Sequence, residues 1–141
     1  LTHCYQIANH MKDIYADDIT LSVAPADKLV AFFESGLATA LADRPVDPAT
    51  WTRRTPASDP EITAVNAAFA LALVERHELV DRNHRLYDLA HAAAQDAPSI
   101  RFETFKSQFR TLARDPGVSE YRKALVDVTR EYAIDSGQAA D

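Results

Sequence analysis

The sequence predicts an all-α fold, and three observations carry that prediction. Its 141 residues include only three glycines, Gly36, Gly117 and Gly137. Prolines gather between 45 and 60, which leaves long stretches without a helix breaker elsewhere. Alanine is frequent, and apolar residues recur at spacings of three and four, the period of a helix with one buried face. With 47% apolar and 26% charged residues, the composition is that of a globular protein, and the length suits one helical domain over 1–141 with its own core. The chain opens on Leu1 rather than methionine, as a piece of a longer protein would.

The first amphipathic helix is expected over Thr2 to Asp18, with Tyr5, Ile7, Ala8, Met11, Ile14 and Tyr15 at helical spacing. Ile19 to Val23 alternates, but with no second strand to pair with it reads as a connector. A second helix starts at Ala24-Pro25-Ala26-Asp27, with Pro25 in the first turn, where its missing N–H does no harm. Leu29, Val30, Phe32, Phe33, Leu37, Ala40 and Leu41 form its apolar stripe, and Asp43-Arg44-Pro45 ends it. Residues 44–59 then read as a Pro-rich loop, with Trp51 placed to cover the core.

Ser58-Asp59-Pro60-Glu61 has the form of a capping box: the Ser58 hydroxyl accepts from the backbone while Glu61 reaches back, and Pro60 sits in the first turn. Neither Gly nor Pro follows until Pro98. The long central helix, 60–97, would therefore span roughly 55 Å at 1.5 Å per residue. A compact chain of this length is only about 37 Å across. The helix must bend, protrude, pair, or break near Asp81-Arg82-Asn83. In heptads it carries three apolar columns, wider than a coiled-coil seam. Phe69, Leu73, Val80, Asn83 and Tyr87 are the candidate interface for pairing with a second copy or another protein.

A C-terminal helical hairpin follows. Ser99 is expected to cap a helix carrying Phe102, Phe105, Phe109 and Leu112, Asp115-Pro116-Gly117 turns the chain, and Ser119 is expected to cap a last helix with Tyr121, Leu125, Val128 and Tyr132. Residues 136–141 form a polar tail. The sum is about five helices in an orthogonal or bundle-like arrangement.

Charge narrows the function. The formal net charge is −6, against a surface that grips nucleic acid or an anionic membrane throughout. It is uneven: three Lys/Arg face seven Asp/Glu over 1–50, five face seven over 51–97, and seven face seven over 98–141. Lys106, Arg110 and Arg114 recur every fourth residue beside the aromatic row, which makes them the candidate contacts for nucleic acid. A single cysteine, Cys4, fits a reducing compartment, and the cytoplasm is the expected location. No apolar run reaches the roughly 20 residues that cross a bilayer.

Histidines offer the most unusual pattern. His77, His84 and His91 stand one heptad apart, and His77 and His84 each precede an acid by one turn, Asp81 and Asp88. That spacing permits a metal or proton-transfer site completed by another element; solvated His–Asp pairs flanking the apolar stripe are the reading preferred here. His77-Glu78-x-x-Asp81 has Asp where a helical zinc protease needs its second imidazole, and the Glu-x-x-His pairs of di-iron bundles are missing. His3, Cys4 and His10 form a smaller N-terminal cluster. Tyr15-Ala16-Asp17-Asp18 resembles the Tyr-x-Asp-Asp motif of reverse transcriptases, which would imply metal-binding carboxylates; the resemblance covers four residues, and the sheet of a palm domain is not expected here. Isolated glycines exclude nucleotide-binding loops, and there is no Gly-x-Ser-x-Gly elbow. The expectation is a non-enzymatic helical interaction or regulatory module without a cofactor, partnered by a second copy or another protein. A nucleic-acid-associated regulator stands second and a histidine-based metal protein or enzyme third.

Overall fold

A central helix clothed by its neighbours organises the molecule. The computed structural model describes residues 2–21, 25–43 and 59–137. All its regular elements are helices: α1 (Thr2–Thr20), α2 (Asp27–Ala42), α3 (Pro60–Arg76), α4 (Arg85–Gln95), α5 (Phe102–Arg110) and α6 (Val118–Asp135). No strand occurs among the described residues, and no described helix is long and apolar enough to cross a membrane.

α3 buries 13 of its 17 residues, the pattern of a helix covered on every side. α5, α4, α2 and α1 all pack on it, α2 also meets α4, and α6 lies on α1. Ala64, Ala67, Ala68 and Ala72 are fully buried, and their short side chains let neighbouring helices approach closely. The three apolar columns are thus filled from within one chain. Phe69, Leu73 and Tyr87, expected at an intermolecular interface, lie in this core; Val80 packs at its edge and Asn83 is exposed.

The expected 60–97 helix is two helices, which raises the count from five to six. Its break comes earlier than Asp81. His77 caps α3, and Glu78 takes a left-handed φ of 53°. Leu79 N donates to Val74 O at 2.9 Å and Glu78 N to Glu75 O at 3.4 Å. This pair of reversed bonds is a Schellman closure, a device usually marked by glycine at the left-handed position. Asp81 Oδ1 then accepts from Asn83 N at 2.9 Å, and His84 Nδ1 accepts from Leu86 N at 3.1 Å, so an imidazole caps α4. The chain folds back, and α4 lies along α3 instead of extending it.

Other boundaries shift for similar reasons. α1 runs through Ile19 to Thr20, taking in the start of the expected connector; Ser22 and Val23 lie outside the described residues. Pro25 precedes α2, whose cap is Ala26. Asp59 caps α3, accepting from Glu61 N at 2.9 Å; Ser58, Trp51 and the rest of the Pro-rich loop through 58 lie outside the described residues, as do 138–141 of the tail. Neither Ser99 nor Ser119 is a cap. α5 starts after Arg101, whose own N–H donates to Asp135 Oδ2 at 2.9 Å, and α6 starts after Gly117. The two are joined where Arg101 pairs with Asp135 and Glu131, while α5 packs mainly on α3 and α6 on α1.

Candidate binding cleft

α1 has two faces with different work. Ile7, Met11 and Ile14 point into the core. Gln6, Asn9, His10, Asp13 and Asp17, spaced by three, one, three and four, turn instead toward α2. α2 presents Leu29, Phe32, Phe33 and Leu37 across from them, and Phe69 and Ala70 of α3 close the bottom. Between the three helices lies a cleft of about 550 Å³, within the range of small-molecule sites, with an apolar floor and a polar wall. Phe32 stands on its rim with 70% of its surface exposed. Gly36 also lines it, and a Cβ built there meets nothing within 4 Å.

His10 sits deep in this cleft. Its Nε2 is 2.7 Å from Asn66 Oδ1, so Nε2–H donates and the amide oxygen accepts. The ring stacks on Phe69, with centroids 4.1 Å apart and planes 13° from parallel, and meets the edge of Phe109 at 6.2 Å. Burial pushes the imidazole below its ordinary value of 6.5, against the raising effects of Asn66 and Asp13. It is held neutral at pH 7. Asp17 goes the other way: burial and then the neighbouring Asp13 raise its carboxyl.

The remaining charged residues singled out in the sequence are engaged elsewhere. Asp18, the last residue of the Tyr-x-Asp-Asp match, receives Arg76 Nε at 2.8 Å and Nη2 at 2.6 Å. His77 Nε2 lies 3.1 Å and Arg114 Nη1 3.4 Å from its Oδ1; the His77 contact does not have hydrogen-bond geometry. Arg76 further donates to the carbonyls of Arg110 and Leu112. Burial alone would raise the Asp18 carboxyl, but Arg76 foremost, then Arg114 and His77, hold it below the ordinary range. Glu75 is a second such knot: Lys106 Nζ and Arg110 Nη1 each approach at 3.0 Å, and the Tyr87 hydroxyl donates at 3.2 Å. There too burial is outweighed, chiefly by Lys106, and the carboxyl is lowered. Each member of the expected basic row therefore faces an acid of its own chain, and Lys106 is buried.

The histidine row is dispersed by the break. His77 ends α3 and His84 caps α4. His91, exposed, has Tyr87 and Phe102 at ring distances of 6.3 Å. Asp81 serves its own turn and Asp88 is exposed. No group of three or more His, Cys, Asp or Glu among the described residues is placed to hold a metal. The N-terminal cluster separates as well. His3 Nδ1 is 2.6 Å from the Tyr132 hydroxyl and its Nε2 3.9 Å from Asp59, two helical turns before the cleft residue His10, while Cys4 is half-buried. Burial, then Asp59, raise the Tyr132 hydroxyl.

Residues 1–134 match the model of DUF5781, a family of unknown function, and the chain belongs to that family. No curated protein and no solved structure matches it.

Proposed function

We propose that this member of the family acts by binding rather than by catalysis, and that the cleft between α1, α2 and α3 is its binding site. One observation carries the reading: a concave, largely apolar site of about 550 Å³ lies beside the core among the described residues. The ionisable groups of the charge knots are consumed by internal pairs, as structural groups are, so they support no competing catalytic arrangement.

Gly36 provides the test. A Gly36→Phe substitution places a ring in open space within the cleft, and replacing a mid-helix glycine favours the helix, so the variant is expected to fold. A fragment library screened by amide NMR should shift residues of the cleft in the parent protein and not in Gly36→Phe. Shifts confined to other surfaces, or unchanged by the substitution, would sink the reading.

Self-association has its own support at α6. Val118, Val126 and Ile134 are exposed at 68%, 49% and 54%; each step of eight residues turns about 80°, so the three spread over nearly half of the helix circumference with Val126 in the middle. Sedimentation over a range of concentrations should show a dimer that Val126→Glu dissociates; a monomer throughout removes this second reading.

A further inference from the structure

On the reading that the cleft is a binding site, we infer that its ligand is an organic cation: an ammonium group carried on an apolar, preferably aromatic, body. Charge complementarity selects it. Among the described residues, Asp13 and Asp17 bear the only formal charges on the lining at neutral pH, since no described lysine or arginine contributes to it and His10 is neutral. The two carboxylates stand one turn apart on the α1 wall, where their mutual repulsion is relieved by a cation between or above them. The α2 wall supplies Phe32 and Phe33, whose ring faces attract ammonium groups. Below, Phe69 and Ala70 offer apolar surface to the rest of the ligand. An anion would meet both carboxylates, and a bare metal ion would find no third carboxylate or sulfur among the described residues and far too much room.

Three probes of one shape separate charge from apolar contact: 3-phenylpropylammonium, 3-phenylpropan-1-ol and 3-phenylpropanoate. Each is titrated into the full chain while the amide shifts of cleft residues are followed. The ammonium should bind roughly tenfold tighter than the alcohol, a difference of the size expected for one cation–π contact with carboxylate support, and the propanoate should not bind. In the Asp13→Asn, Asp17→Asn double variant, the preference should vanish while alcohol binding stays unchanged. Equal affinity for ammonium and alcohol in the parent, or a preference that survives the double variant, overturns the cation and leaves the cleft as a site. Failure of all three probes overturns both. Ammonium binding that appears only when Trp51, Arg53 and Arg54 are changed to alanine gives the acidic wall to the chain's own residues and overturns an external ligand.

Discussion

Two adjacent aspartates show how much a residue's role depends on its surroundings. Asp17 and Asp18 are chemically identical and sit in the same short motif, yet Asp18 binds Arg76 through both oxygens while Asp17 is raised by burial and by Asp13. Asp18→Asn should destabilise the protein by roughly 2–4 kcal/mol, because it leaves the enclosed Arg76 guanidinium without its anion. Asp17→Asn removes a repulsion and should leave the urea midpoint unchanged or higher. Equal losses in the two variants would contradict the assignment. Glu78 offers a second residue-level test. It is held at φ 53° to close α3, a conformation that costs a side-chain-bearing residue about 1 kcal/mol. Glu78→Gly should return about that much stability, measured by urea denaturation; a loss would mean that the Glu78 side chain contributes more than its backbone strain costs.

Legibility differs among the elements. Helicity itself was readable, since sparse glycine and proline leave few places to stop, and the apolar rows of α1, α2, α5 and α6 follow the helical period. The length mismatch also announced that the 60–97 stretch could not run straight. Its true break was hidden because the closing residue is glutamate, and because the cap of α4 is a histidine. The first end is defined by a left-handed backbone that glycine usually marks, and the second by a side chain that seldom serves as a cap. The polar row Gln6, Asn9, His10, Asp13 and Asp17 is visible as a pattern on α1, but solvent and a cleft leave the same trace; only the approach of α2 and α3 separates them. Likewise the basic row of α5 was readable and its acid partners, contributed by α3 and α1, were not. For α3, the buried alanines make a prediction: Ala68→Leu adds volume where helices are in contact and should cost about 1–3 kcal/mol. Full stability in that variant would show that α3 is packed less tightly than its burial indicates.

At the scale of the whole molecule, stability should fall on acidification in two stages. His10 has a folded-state pKa below its unfolded value near 6.5, so as pH drops through about 6.5 the unfolded chain takes up the proton first and the native state loses ground. That loss is complete once pH is below the folded value. Asp18 and Glu75 are lowered, so their contribution is present above the ordinary carboxylate range and is lost as pH falls through that range and their folded values. Asp17, raised, opposes this second stage. Urea midpoints measured from pH 8 to 3 should show both declines. His10→Gln should flatten the upper one and keep the lower; an unaltered upper decline would assign it to another group.

The contact between α1 and α6 joins His3 to Tyr132 across 129 positions of sequence. Contacts of such separation are slow to form, because most of the intervening chain must already be ordered. During synthesis, α1 leaves the ribosome before the helices that follow it, and Tyr132 of α6 arrives 129 positions after the His3 it meets. For that interval the side of α1 destined for α6 is uncovered, and chaperones and proteases can reach it.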